Sequence, residues 1–187
     1  MARIGIRSRI RSGAALAAVA AAALLSLAGP IGSAQARTDG AVAPRADLAA
    51  QVLVAVNTLR AQHHLSALKG SPSLAAAAGV HGREMAEQGY FSHDSADGSA
   101  FWKRIERFYP SKGRRYWTVG ENLLWSSPDV DAAQTIQLWL DSPPHRRILL
   151  APEWREIGIS ALQSSSAPGV YDGLPVTIVT ADFGTRR

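Results

Sequence analysis

The order in which hydrophobic patterns appear along the chain constrains the fold more than any single motif. Leu48, Val52, Val56 and Leu59 fall four, four and three apart, one helical stripe over about residues 47–64. Ser71-Pro72 sets a capping residue before a proline suited to the first helical position, and residues 74–88 follow as an Ala-rich helix that Gly89 stops. Residues 99–108 form a shorter amphipathic segment with Phe101, Trp102, Ile105 and Phe108 on its apolar side. Residues 129–140 read as another helix, with Ile136, Trp139 and Leu140 on one side. The period then changes. Residues 157–162 and 176–183 are β-branched and partly alternating, so they read as strands, with the Ser-, Gly- and Pro-rich residues 163–175 as a long hairpin loop. Helices first and strands last favour an α+β layered domain over a βαβ one.

The first 36 residues do not read as part of that fold. Arg3, Arg7, Arg9 and Arg11 form a basic start. Residues 14–28 are an apolar run broken only by Ser26, shorter than the ~20 residues of a membrane span. Ala34-Gln35-Ala36 supplies a small-x-small cleavage pattern. Residues 1–36 are therefore expected to be a signal peptide, residues 37–46 a flexible linker, and residues 47–187 one domain. With no Cys after the apolar run, a lipoprotein anchor is excluded. The expected location is secreted or periplasmic, with no integral membrane span in the mature protein. Cleavage would remove four of the 20 Lys and Arg and none of the 15 acids, leaving sixteen cations against fifteen carboxylates. The basic balance of the full chain thus gives no support to nucleic-acid binding. The chain has 0 Cys, so its core must stand without disulfides, and thiolate chemistry is excluded.

Three short, turn-rich phrases carry the chemistry: Tyr90-Phe91-Ser92-His93, Gly120-Glu121-Asn122 and Ser142-Pro143-Pro144-His145. Together they suggest one polar cavity assembled from separate segments. Neutral imidazoles and a carboxylate are groups that a divalent metal such as zinc accepts, so His93, Glu121 and His145 are candidate ligands. Equally, Glu121 could be a buried strut that holds loop amides and one histidine. Ser142 is expected to cap the short helix that Pro143 opens, with His145 in its first turn, where the helix dipole disfavours imidazolium. Ser92 beside His93 does not make a hydrolase, because triads are built by geometry rather than adjacency. His63 and His64 read as solvated, and His81 as a packed helical residue. Arg114-Arg115-Tyr116-Trp117 reads as a loop with an anchoring Trp. Trp102, Trp125, Trp139 and Trp154 read as packing residues. Asn57 and Arg60 are expected to tie the first helix to a neighbouring loop.

Taken in order, these residues resemble a known family. Asn57-Thr58-Leu59-Arg60, Leu74 with its Ala run, Met85, Tyr90-Phe91-Ser92-His93, Gly120-Glu121-Asn122-Leu123, Trp139 with Ser142-Pro143-Pro144-His145-Arg146, Gly158 and Phe183-Gly184 are similar to the motifs of the CAP domain (cysteine-rich secretory protein, antigen 5, pathogenesis-related 1) in its compact bacterial form. The resemblance implies a three-layer α-β-α sandwich and a cavity lined by two His and two acidic residues. His93, Glu121 and His145 match directly. The fourth position does not: Trp139 is followed by Leu140-Asp141, so Asp141 is a nearby but displaced candidate. The expected function is a binding or interaction module that takes a small apolar or lipid-like ligand or a cell-envelope component. The alternatives are a metal-dependent extracellular hydrolase acting on peptide or cell-wall material, with Glu121 as general base, and a structural envelope or stress protein. Processing is directly testable: N-terminal sequencing of exported protein should begin at Arg37, and intact Met1-containing protein in the membrane fraction would refute cleavage.

Overall fold

The computed structural model describes residues 41–187; the expected signal peptide and the first part of the expected linker lie outside the described residues. The described chain forms β1 (Val42–Pro44), α1 (Ala46–Gln62), β2 (Lys69–Gly70), α2 (Pro72–Gln88), α3 (Phe101–Phe108), β3 (Trp117–Ser126), α4 (Ala132–Asp141), α5 (Pro143–Leu149), β4 (Glu156–Ser164) and β5 (Val176–Arg186). The strands make one sheet ordered β1-β4-β5-β3, all antiparallel along that path, with β2 added parallel to β4.

Helices cover both faces. On one face α1, α4 and α5 bury Leu48, Val52, Trp139 and Leu149 against Leu124, Val179, Ala181 and Phe183 of the sheet. On the other, α2 and α3 bury Leu74, Ala77, Met85 and Ile105 together with Tyr109, Leu123 and Ile178. Alternation along β3 divides its side chains accordingly: Leu123 faces α2 and Leu124 faces α4. This is the expected α-β-α sandwich of an α+β single domain.

Local signals fix most helix ends. The Ser71 hydroxyl accepts from the Leu74 amide at 3.5 Å, Pro72 opens α2, and Gly89 closes it at φ 72°. The Asp131 side chain caps α4 in a reciprocal capping box with Gln134. Asn57 clamps the Leu68 backbone at both its amide and its carbonyl. Fully buried Arg60 donates to the carbonyls of Ser66, Leu149 and Ala151. Both residues therefore hold α1 to neighbouring loops, as expected.

Three expectations are corrected. Val42–Pro44, assigned to the linker, is a strand on β4; its extended residues find backbone partners in residues 162–164, so the folded unit begins before residue 47. Gly120-Glu121-Asn122 is not a turn but the middle of β3, paired over ten residues with β5. Trp102 is 41% exposed rather than a packing residue, whereas Trp125, Trp139 and Trp154 are buried.

Gly158 shows how closely a helix seats on the sheet. A Cβ there would fall 1.9 Å from the Ala75 nitrogen and 2.2 Å from the Leu74 carbonyl carbon, both helix backbone. Overpacking of this kind costs roughly 1–3 kcal/mol or more, at about 2–4 °C of melting temperature per kcal/mol in a domain of this size. Thermal unfolding of Gly158→Ala should show Tm lowered by about 3–10 °C, and an unchanged Tm would contradict the α2–β4 packing.

Candidate functional site

Glu121 lies on the α2/α3 face of β3, with a side chain 1% exposed. A carboxylate so deep needs its charge answered, and both oxygens are engaged. The Oε1 atom accepts from His93 Nδ1 at 2.8 Å. The Oε2 atom accepts from the guanidinium of Arg104, a residue of α3 that is itself 2% exposed. Arg104 also donates to the His93 carbonyl and the Ser95 hydroxyl, both at 3.2 Å, so one side chain fastens the turn after α2 to the sheet. Burial alone would raise the Glu121 carboxyl; the His93 hydrogen bond and the Arg104 charge outweigh it and hold Glu121 below the usual carboxylate range.

His93 presents Nδ1 to Glu121, and its side chain is 46% exposed. His145 approaches from the opposite layer. Asn122, pointing away from Glu121, donates to the His145 carbonyl at 3.1 Å, and the His145 ring stands 6.5 Å from that of His93. The two imidazoles thus meet at the β3 edge. Ser142 does not cap α5 as expected: its hydroxyl lies 2.8 Å from His145 Nδ1 and makes no capping bond. Burial and the neighbouring His93 lower the His145 pKa.

Two further residues belong to this region. Asp182 sits directly across from Glu121 in the β3–β5 register and is fully buried. Its oxygens meet no donor among the described residues. Burial first, and the Glu121 charge second, push it well above the usual carboxylate range. The fold thus disfavours a second ionised carboxylate beside Glu121. His81, fully buried in α2, lies 2.8 Å through Nε2 from the Ser92 carbonyl, and burial lowers its pKa. His81 is the packed residue expected. Arg104 and Asp182 escape a sequence reading: an Arg on an amphipathic helix and an Asp at a strand end look like surface charges. The available signal was a buried Glu121, which demands a cation.

Asp141 does not join the site. It is exposed at the end of α4 and accepts from Gln137 at 2.8 Å, one helical turn away. Among the described residues, no group of three or more His, Asp and Glu is gathered as a metal centre. The donor set explains this. Both Glu121 oxygens are engaged by His93 and Arg104, so Glu121 in this arrangement does not fit the ligand role considered for it beside His93 and His145. Ser92 is no nucleophile either, since its hydroxyl accepts from the Asp94 amide at 3.3 Å within its own turn. Beside that turn lies an open hollow of about 430 Å³ lined by Gln88, Tyr90, Ser92, Asp94, Ser95 and Gly98.

An α-β-α sandwich with a His–Glu–His edge site defines a protein class, and comparison with known proteins agrees. The model of the CAP cysteine-rich secretory protein family matches residues 53–183, and the chain belongs to that family. It is 30% identical over 109 residues to an uncharacterized membrane protein, YlbC, of Bacillus subtilis, covering 58% of this chain and 30% of that one. It is 25% identical over 116 residues to an uncharacterized protein, YkwD, of the same organism, covering 62% and 43%. The chain thus spans under half the length of either relative. Among solved structures, it is similar to an extracellular SCP-domain protein of Bacillus anthracis, with TM-score 0.58, 28% identity, and 74% of this chain and 40% of that chain covered. An outer surface protein of Borrelia burgdorferi shares the fold, with TM-score 0.64, 19% identity, and 79% and 99% covered.

Two predictions follow from the geometry. Glu121→Ala strands the Arg104 cation, and breaking a buried pair from one side costs roughly 3–5 kcal/mol. Glu121→Gln keeps an acceptor and should lose clearly less. Chemical denaturation of both variants measures the difference; equal, small losses would refute the strut role. The second concerns pH. His81 and His145 have lowered folded pKa values, so the fold favours their neutral forms. Their contribution is complete above about pH 6.5 and is lost as pH falls toward the folded values. Asp182, raised in the fold, contributes the opposite slope, so the check is a comparison: between pH 7.5 and 5 the Tm of His145→Gln should fall less, or rise more, than that of wild type, and identical changes in both would contradict the assignment.

Proposed function

We propose that the protein is an extracytoplasmic CAP-domain binding module, and that His93 and the hollow beside its turn are its recognition surface. The observation that supports this most is the state of Glu121. A general base must be free to take a proton, and a metal ligand must be free to coordinate. Glu121 is instead held below the usual carboxylate range by His93 and by a buried guanidinium, which is the state of a strut. Its work is to hold the His93 ring in a fixed orientation at the half-exposed edge of the site.

The lining of the hollow favours a ligand class. Gln88, Tyr90, Ser92, Asp94 and Ser95 offer hydroxyls, an amide, a carboxylate and one aromatic ring. These groups, set in an apolar surround, would anchor a hydroxyl-rich glycan of the cell envelope whose sugar faces rest on the apolar part. Sites of this kind pair a few placed polar groups with an apolar surface. The similar SCP-domain protein of Bacillus anthracis is extracellular, which supports an extracytoplasmic setting. Among the described residues, no helix is long and apolar enough to cross a membrane.

Nuclear magnetic resonance titration with soluble cell-wall glycan fragments tests the reading. Amide shifts should concentrate at residues 88–98, weaken at least tenfold in affinity in Tyr90→Ala, and come without release of new reducing ends. Turnover of the fragments would replace this reading with a hydrolytic one. Shifts produced by fatty acids and not by glycans would replace the glycan with an apolar ligand.

A further inference from the structure

The sheet has a basic pole and an acidic pole. At the end where β3 begins and β5 finishes, Lys112, Arg114, Arg115, Arg186 and Arg187 are brought together. Trp117 pairs with Arg186 in the β3–β5 register, and Tyr116 and Arg187 exchange backbone hydrogen bonds of 2.9 and 3.1 Å. Glu106 and Glu156 answer only part of this charge, and each also accepts a hydroxyl, from Ser111 and Tyr109 respectively. Glu156 lies 4.0 Å from Arg186. Among the described residues, no ion pair engages Lys112, Arg114 or Arg115. At the other end of the sheet the balance reverses: Asp47, Asp129 and Asp131 surround Arg45.

The basic pole also has the shape of a contact surface. Residues 112–116 are all exposed, and a Cβ at Gly113 (φ 79°) would meet nothing within 4 Å, so the loop tip stands out in solvent. Tyr116, 39% exposed, lies in the middle of the cations, with the Arg187 guanidinium 5.0 Å from its ring centre. Arg186 stacks on the Tyr109 ring at 3.9 Å. These stacked guanidinium groups are ordered before any partner arrives.

We propose that this pole docks the domain on an anionic phospholipid surface. Clustered Lys and Arg supply attraction to anionic headgroups, each worth roughly fivefold in affinity near the surface. An exposed tyrosine with a polar tip is suited to the headgroup layer. A protruding convex loop matches a flat membrane, whereas a linear polyanion would be held better along a groove. The opposite acidic pole would turn the other end of the sheet away from the same surface.

Sedimentation of the full chain with phosphatidylglycerol-containing vesicles, against pure phosphatidylcholine vesicles, tests the proposal. Wild type and variants share the N-terminal segment, so the difference between them reports on the pole alone. Arg114→Gln/Arg115→Gln should weaken binding to anionic vesicles on the order of twentyfold, and added salt should narrow the gap. Arg83→Gln, whose guanidinium reaches the Val42 carbonyl at the acidic end, should change binding little. Equal binding by wild type and Arg114→Gln/Arg115→Gln would overturn the proposal. So would an equal loss in Arg83→Gln, or binding of linear polyphosphate that depends on Arg114 and Arg115 while vesicle binding does not.

Discussion

The ten-residue pairing of β3 with β5 is the constraint on which the rest of the molecule depends. It sets Glu121 opposite Asp182. It also separates Glu121 and Asn122 onto opposite faces of the sheet, toward the α2/α3 layer and the α4/α5 layer respectively. One dipeptide can then reach both helical layers, with Glu121 holding His93 and Arg104 while Asn122 holds the start of α5. A slip of one residue would reverse every one of these assignments.

Burying Glu121 beside a second carboxyl group has an electrostatic cost, and the structure answers it with one guanidinium. Arg104 pairs with Glu121, while burial and the Glu121 charge push Asp182 well above the usual carboxylate range. The arrangement leaves His93 as the exposed end of an otherwise internal network. A polar network within an apolar core tolerates little rearrangement, since each member relies on its neighbour for a partner. In a chain with 0 Cys, this network and the two apolar layers must together supply the rigidity that disulfides provide in disulfide-bonded domains.

Both proposed recognition sites lie on the surface. The His93 turn with its polar hollow lies at one place, and the basic pole around Tyr116 at another. Both are loops carried by rigid elements, the arrangement in which recognition residues are commonly found. Arg104 links the first of them to the sheet through Glu121 and the His93 carbonyl.

Sequence alone determined the elements whose signals are local. The α1 stripe, the Ser71-Pro72 cap, the Gly89 stop and the β4–β5 hairpin all follow from periodicity and backbone preference within short windows. The ordered motifs also carried the family and its three-layer fold. Tertiary structure decided the remainder. Gly120-Glu121-Asn122 reads as a turn because Gly and Asn are poor strand formers, and only pairing with β5 makes it a strand. Val42–Pro44 is a strand for the same reason, since β4 offers it partners. Arg104 and Asp182 look like ordinary surface charges until the sheet places them beside Glu121, and Asp141 looks like a cavity residue until the α4 helix turns it to solvent. Charge answers charge in space rather than along the chain, so the composition of a buried network is settled only by the packing that buries it.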